Sequence, residues 1–154
     1  MFKLNKPIVD QCIKHIKDHL YISYDTDLII DPNAENNDFI KGIQDLAKMS
    51  LLYNISPIDD NVLPLNFLNI NFEKYDKTFL SGLWYDDIHV ISFPPPNEVQ
   101  EFIDASCKFA QSISFIMPNK STPYIFPLSY RRIFTSNLSN KEDMNFQIWM
   151  KTDY

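Results

Sequence analysis

The chain reads LIIDPNAENNDF from Leu28 to Phe39. An apolar run ends at Asp31 and Pro32, a short polar loop follows, and an apolar helical pattern begins at Phe39. This order of strand, loop and helix predicts one unit of an α/β domain, with the loop at the carboxyl end of the strand.

Helical and strand patterns continue on both sides of this unit. Apolar residues at helical spacing predict helices over residues 7–20, 38–48 and 98–110. Short apolar runs predict strands over residues 27–30, 50–54, 62–65, 88–93, 113–117, 130–137 and 145–151. The alternation of strands with helices predicts a mainly parallel seven-stranded sheet with helices on both faces. Only the last connection, a turn over residues 139–143, is short enough for a hairpin, so the last strand is expected to be antiparallel.

The composition is typical of soluble globular proteins. The 154 residues predict one domain, residues 1–154, and 45% of them are hydrophobic while 22% are charged. No apolar run approaches the roughly 20 residues that span a bilayer. The first residues, MFKLNKPIVDQC, lack the apolar core of a signal peptide. We therefore expect an intracellular protein that does not enter a membrane.

Charge and cysteine usage exclude two further classes. The net charge of -6 makes nucleic-acid binding by this chain alone unexpected, because such binding depends on Lys and Arg that neutralise phosphates. Cys12 and Cys107 lie far apart, each in a helical pattern, which favours buried free thiols over a disulfide or a metal pair.

The segment after the first strand resembles the cofactor motif of S-adenosylmethionine (SAM)-dependent methyltransferases that act on adenine. In that family the motif runs acid, Pro, Ser or Asn, Ala, Gly, any residue, Gly, any residue, Phe. Glu35 and Asn37 stand at the two glycine positions. The residues that match the motif are Asp31, Pro32, Asn33, Ala34 and Phe39.

Two later segments extend this resemblance over nearly the whole chain. FPPP, at residues 93–96, ends the predicted fourth strand where the family has Asn-Pro-Pro and an aromatic residue. FQIW, at residues 146–149, looks like the last strand of methyltransferase-like proteins encoded by large DNA viruses. The resemblance implies a degenerate member with a Rossmann-like, class I methyltransferase fold, built as a single minimal domain.

The FPPP segment lacks the groups that the family uses on its base. There, the Asn side chain and a proline carbonyl accept the amine hydrogens of adenine, while the aromatic ring stacks on the flipped base. Phe93 offers no side-chain acceptor, and Pro96 offers no ring to stack. With Pro94 and Pro95 between them, we expect a rigid strand stop and no catalytic residue.

The cofactor side of the resemblance implies a vestigial pocket. Glu35 would place a carboxylate near that of SAM, and Asn36 and Asn37 tolerate the left-handed backbone that glycine would adopt. Only Gly42 and Gly82 occur, outside any strand-to-helix loop. We therefore expect no cofactor, or SAM if any; a solvated helix-capping loop is the alternative interpretation. The pocket residues are Asp31, Asn33, Ala34, Glu35, Asn37, Asn54, Ser56 and Asn66.

The histidines predict no further site. His15 and His19 have the i, i+4 spacing that suits zinc, but no third and fourth ligand accompanies them, so no metal is expected. His89 lies in a predicted buried strand, where it is expected to satisfy a local hydrogen bond rather than act as a base.

Three functions remain open on the sequence. The leading one is a catalytically inactive methyltransferase-like domain that serves as an interaction or structural module, and the FQIW resemblance suggests a viral protein. The others are a divergent active adenine-N6 methyltransferase and a SAM- or nucleotide-binding protein without catalysis. A protein partner or self-association is expected through an apolar face formed by Trp84, Phe93, Pro96 and Phe126.

Overall fold

The computed structural model of the chain describes residues 3–70, 85–138 and 144–152. These residues contain three helices: α1 (Lys6–His19), α2 (Asn37–Leu46) and α3 (Val99–Ser106). A short 3-10 turn covers Phe67–Asn69. The strands are β1 (Leu28–Asp31), β2 (Met49–Tyr53), β3 (Val62–Leu63), β4 (Ile88–Ser92), β5 (Ser112–Pro118), β6 (Tyr130–Asn137) and β7 (Met144–Lys151).

The strands form one seven-stranded sheet in the order β3-β2-β1-β4-β5-β7-β6. The first five strands pair in parallel, and β7 runs antiparallel to both β5 and β6. The predicted mainly parallel sheet with an antiparallel last strand is therefore confirmed. The predicted turn over residues 139–143 lies outside the described residues.

Side-chain caps set where the helices begin. The Asn5 side chain accepts a hydrogen bond from the Ile8 amide, so α1 begins one residue before the predicted position. The Asn36 side chain does the same for the Phe39 amide at the start of α2. Asn36 has an extended backbone with φ of -129°, so the turn does not use the left-handed conformation there.

The α3 helix and the β3 strand are much shorter than predicted. The α3 helix ends at Ser106 rather than residue 110, because the Lys108 and Phe109 amides bond to carbonyls three residues back and tighten the last turn. The β3 strand ends at Leu63 rather than residue 65, because Pro64 has no amide hydrogen for the ladder.

Helices cover both faces of the sheet, as predicted. Apolar residues of α1 and α2, among them Val9, Ile16 and Ile43, pack against one face around Ile29 and Ile91. The other face packs against α3 through a second cluster that includes Phe102, Ile103, Val90 and Phe115. Because each face has its own helical cover, β1, β4 and β5 are buried on both sides, which explains their continuous apolar runs.

Two further features concern the hydropathy of the helices and the state of the thiols. Within the described residues, none of the helices has the length and hydropathy that crossing a membrane requires. Cys12 and Cys107 are free thiols; Cys12 is buried and Cys107 is half-buried. Burial raises the pKa of each thiol to about 12, so neither is a reactive thiolate near neutral pH.

Candidate functional site

The carboxyl ends of β1, β2 and β4 meet in the middle of the sheet, where the loop after β1 lies. Asp31 ends β1 and pairs with Leu52 of β2, while Ile30 pairs with Val90 of β4. In open parallel sheets, ligands bind in the crevice at these strand ends. The structure therefore brings the loop of residues 31–37 to the position that the sequence assigned to the vestigial pocket.

Asp31 is buried at the centre of this crevice. Only 1% of its surface is exposed, and its Oδ1 accepts hydrogen bonds from Ser92 Oγ at 2.5 Å and from the Asn33 amide at 3.0 Å. Burial raises the pKa of Asp31 to about 7, against the opposing effect of these two hydrogen bonds. Near neutral pH, Asp31 is therefore partly protonated and does not carry a full negative charge.

Asn33 connects the loop to both neighbouring strands. Its Nδ2 donates to the Phe93 carbonyl after β4 at 2.9 Å, and its Oδ1 accepts from Asn54 Nδ2 after β2 at 3.1 Å. Asn54 Nδ2 also donates to the Ala34 carbonyl at 3.3 Å, and Asn54 Oδ1 accepts from the Ser56 amide at 2.8 Å. Both ends of each amide are thus engaged within the protein. We call this set, Asp31, Asn33, Asn54 and Ser92, the strand-end network.

Ala34, Glu35 and Asn37 complete the loop. Ala34 is fully buried, and its amide donates to the Tyr53 carbonyl of β2 at 2.8 Å. Glu35 and Asn37 are exposed, and Asn37 is the first residue of α2. Partial burial raises the pKa of Glu35, whose charge in turn raises that of Asp31. Glu35 therefore lies close enough to Asp31 for its charge to act on that residue.

Ser56 and Asn66 lie at the margin of the site. Ser56 is exposed and contributes its backbone amide, not its hydroxyl, to Asn54. Asn66 caps the 3-10 turn, its Oδ1 accepting from the Leu68 amide at 3.0 Å. Among the described residues, this hydrogen bond of Asn66 does not involve a member of the strand-end network.

The FPPP segment forms the wall on the β4 side. Phe93 is half-buried and packs against the apolar cluster beneath α1 and α2. Pro94 is buried, Pro95 is half-buried, and the Pro95 carbonyl accepts from the Glu98 amide in a tight turn before α3. Pro96 is exposed. The segment ends β4 firmly, in agreement with the predicted strand stop.

Two members of the predicted association face have partners within the chain or lie outside the described part. Trp84 lies outside the described residues. Phe126 is half-buried and stacks on Trp149, with ring centres 3.8 Å apart and planes within 6°. Association through this face stays a prediction.

The histidines take structural positions. His15 and His19 each pack at 4.4 Å from the Phe134 ring, and the described residues contain no group of three or more His, Cys, Asp or Glu that could hold a metal ion. His89 is buried, with Nε2 3.0 Å from Asp27 Oδ2 and Nδ1 2.7 Å from Ser112 Oγ. Its hydrogen bonds are long-range rather than local.

The Asp27, His89 and Ser112 set resembles a hydrolytic triad only in composition. Ser112 has no exposed surface, and the three residues lie at the amino-terminal ends of β1, β4 and β5, away from the strand-end crevice. A nucleophile must reach its substrate, so this set is a buried polar link between strands.

Sequence reasoning missed Ser92, which donates to Asp31. The signal was a Ser at the last position of an apolar strand next to the strand that ends in Asp31. Together, the site residues can fix the loop after β1. They present one ionisable group to a ligand, the exposed Glu35, and keep the other, Asp31, buried.

Several solved structures that are similar to this chain are methyltransferases. The chain is similar to the 23S rRNA methyltransferase ErmE, with a TM-score of 0.66 and 10% identity, over 99% of this chain and 70% of that chain. It is similar to the N-methyltransferase NodS from Bradyrhizobium japonicum, with a TM-score of 0.61 and 9% identity, over 96% of this chain and 98% of that chain. An rRNA methylase from Streptococcus thermophilus has a TM-score of 0.59 and 9% identity, over 99% of both chains.

Sequence comparison adds no closer family. No protein-family model matches the chain, and no curated protein sequence matches it. At identities this low, the structural similarity establishes the fold alone. The chain has the fold of class I SAM-dependent methyltransferases.

Proposed function

We propose that this chain is a methyltransferase-fold domain without methyl-transfer activity, and that it serves as an interaction or structural module. The observation that carries the proposal is the strand-end network. The side-chain amides of Asn33 and Asn54 hydrogen-bond to each other, to the backbone carbonyls of Phe93 and Ala34, and to the backbone amide of Ser56. Cofactor sites present a few placed polar groups to their ligand, whereas these amides are already engaged within the protein.

The charges at the crevice support the same conclusion. In the family that the sequence resembles, glycines let the loop backbone approach the methionine part of SAM. Here Glu35 adds bulk and a carboxylate, and two like charges at close range repel by about a few kcal/mol at intermediate dielectric. SAM would therefore have to displace or neutralise Glu35 to bind.

The β4 wall supports the absence of catalysis. Phe93 occupies the position of the family's Asn, its side chain packs against the core cluster, and its carbonyl accepts from Asn33. Removing one well-placed polar stabiliser costs about 100 to 1000 fold in rate. This chain lacks both the side-chain acceptor, because Phe93 replaces Asn, and the stacking ring, because Pro96 replaces an aromatic residue. Little activity would remain.

Calorimetric titration with SAM and S-adenosylhomocysteine, together with a labelled-methyl assay on DNA and RNA, tests this function. The purified chain should bind neither compound measurably and should transfer no label. Turnover would contradict the proposal and establish the alternative of an active methyltransferase. SAM binding without turnover would establish a cofactor-binding protein.

Variants of the loop separate repulsion from bulk. The double change Glu35→Gly with Asn37→Gly should increase any residual SAM affinity, because it removes both the carboxylate and the side chains. Glu35→Gln removes the charge alone and should give only part of that gain. Equal and negligible affinity in all three folded proteins would show that these positions do not limit binding.

The interaction role is proposed to use the apolar face of Trp84, Phe93, Pro96 and Phe126. Charged substitutions at Trp84 and Phe126 should abolish self-association, measured by light scattering across a concentration series. Tyr21→Lys is the matched control, since Tyr21 is 87% exposed and precedes the amino-terminal end of β1, whereas the proposed face lies at the carboxyl ends of the strands. A native chain that stays monomeric at every concentration would contradict self-association.

A further inference from the structure

A second concave site lies away from the strand-end network. A cavity of about 580 Å³ lies between strands β6 and β7 and residues 118–124, which are the last residue of β5 and the segment after it. Small-molecule sites commonly enclose about 300 to 1,000 Å³. The lining includes none of the four residues of the strand-end network.

The floor of this cavity is a polar face of β7. Met144, Phe146 and Ile148 point into the apolar cluster beneath α1 and α2. The alternate residues Asn145 and Gln147 line the cavity, on the face where β5 presents Phe115 and Met117 to the other core. Buried amides on a face that is otherwise core cost stability unless they find partners.

A β-bulge brings a cation to the same face. Arg132 and Thr135 both line the cavity although they are three residues apart, a spacing that would place them on opposite faces of a regular strand. The register of β6 on β7 shifts between Arg132 and Phe134, which restores both side chains to one face. Bulges often redirect side chains beside functional sites.

Two buried polar atoms at the cavity lack partners. Asn145 is 3% exposed, and its Nδ2 donates to the Met117 carbonyl and to Asn119 Oδ1. Its Oδ1, like the hydroxyl of Tyr124, is buried without a hydrogen-bond partner among the residues that the structure describes. A buried polar atom left unsatisfied costs about 1 to 3 kcal/mol, so both atoms favour a ligand that hydrogen-bonds to them.

The charge of the lining is positive in an acidic protein. Lys120 and Arg132 line the cavity, and none of its described lining residues is acidic, although the chain carries a net charge of -6. Lys120 Nζ lies 4.7 Å from the centre of the Tyr124 ring. Trp149, held by its stack on Phe126, supplies a rigid aromatic wall. An anionic group and a flat ring match this lining.

We propose that this cavity binds a nucleoside monophosphate. Lys120 and Arg132 receive the phosphate, while Asn145 Oδ1 and the Tyr124 hydroxyl meet the polar edge of the base beside Trp149. A simple phosphate ion fits this cavity less well, because it would leave Asn145 Oδ1 and the Tyr124 hydroxyl without a partner. This inference needs neither SAM nor the strand-end network, and it shares with the proposed function only Phe126, which stacks on Trp149.

Calorimetry on the full chain tests this site with AMP, UMP, adenosine, inorganic phosphate and a short oligoribonucleotide. A mononucleotide should bind, and more tightly than adenosine or phosphate. Arg132→Gln should weaken that binding about tenfold or more, the usual contribution of a hydrogen bond to a charged group. Arg131→Gln is the matched control, because this exposed neighbour is not among the residues that line the cavity and should change the affinity little.

A second variant tests the base contact without threatening the fold. Tyr124→Phe removes one buried hydroxyl that has no described partner, so it should keep or improve stability while lowering mononucleotide affinity. The proposal is overturned if no mononucleotide binds at millimolar concentration, or if Arg131→Gln and Arg132→Gln weaken binding equally. Binding of adenosine or phosphate as tight as that of AMP would also overturn it, as would binding of the oligoribonucleotide alone.

Discussion

Asp31 shows how burial changes the meaning of a motif residue. The sequence identified it as the one charged group kept from the cofactor motif. In the structure it is buried against Ser92 and the Asn33 amide, and desolvation raises its pKa to about 7. At this position the acid therefore acts as a hydrogen-bonding partner for the neighbouring strand.

The raised pKa predicts a pH effect on stability. In the unfolded chain Asp31 loses its proton near 3.8, and in the folded chain near 7. Between these values the folded state holds more protons, so the free energy of unfolding falls as pH rises. Asp31→Asn keeps the Oδ1 acceptor and removes this penalty. Since one pKa unit equals about 1.4 kcal/mol, the variant should be a few kcal/mol more stable than the native chain at pH 8.

Denaturant unfolding at pH 4, 6 and 8 measures this difference. The advantage of Asp31→Asn over the native chain should be small at pH 4 and should grow toward pH 8. Asp60→Asn is the control, because it makes the same chemical change at an exposed position, and its advantage should grow much less toward pH 8 than that of Asp31→Asn. Parallel curves for the native chain and Asp31→Asn would show that Asp31 titrates normally.

His89 provides a second prediction at the residue scale. His89→Leu would leave Asp27 and Ser112 buried without their shared partner, at a cost of about 3 kcal/mol or more in unfolding free energy. Asp27→Asn in the same chain replaces this carboxylate, which the Ser23 and Asp87 amides also contact, by a neutral amide. Thermal or denaturant unfolding should therefore find the double variant more stable than the sum of the single losses. Additive losses would indicate that the pair is not coupled.

At the scale of elements, periodicity located the helices and strands because each has one or two buried faces. The apolar spacing predicts Val99, Phe102, Ile103, Ser106 and Phe109 on one helical face. The first four are buried in α3, whereas Phe109 lies beyond its end and is half-buried. The pattern failed at ends that depend on backbone hydrogen bonds. The apolar spacing continues to Phe109, yet the last turn tightens after Ser106, and apolar spacing does not distinguish these two geometries.

The contact between α1 and α2 depends on Gly42. A Cβ atom at this position would lie 2.8 Å from Ile13 Cγ1. Alanine gains about 1 kcal/mol in helix propensity, but overpacking costs about 1 to 3 kcal/mol, and the β-branched Ile13 has few other rotamers in a helix. Gly42→Ala should therefore lower the unfolding free energy by about 1 kcal/mol.

A double-mutant cycle checks the origin of that loss. Ile13→Val removes Cδ1, the second close atom, so Gly42→Ala should cost less in the Ile13→Val background than in the native one. Denaturant unfolding of the four proteins gives the coupling energy. An increase in stability on Gly42→Ala alone would mean that Ile13 moves aside freely.

At the scale of the whole molecule, the sheet was predictable and the network at its centre was not. The pattern predicted a mainly parallel sheet and an antiparallel last strand. It did not predict the strand order, in which β4 pairs with β1 and not with β3. Asn33 and Phe93 are 60 residues apart, and Asp27 and His89 are 62 apart. Their contacts depend on the register between strands, which a single sequence does not specify. The sequence placed the loop of residues 31–37 at the carboxyl ends of the strands. It did not predict which residues bond to the side chains of that loop.

The strand order makes a last prediction about where the molecule opens first. In β4, the four residues from His89 to Ser92 are all buried and pair with β5, and His89 and Val90 pair with β1 as well. The edge strand β3 has only Val62 and Leu63, which pair with β2 alone, and Leu63 is 40% exposed. Local opening needs little free energy where few buried contacts are lost. Amide hydrogen exchange should therefore be slowest in β4, where it requires global unfolding and accelerates with added denaturant. Exchange at β3 should be much faster and nearly independent of low denaturant, and equal protection of the two strands would contradict this account.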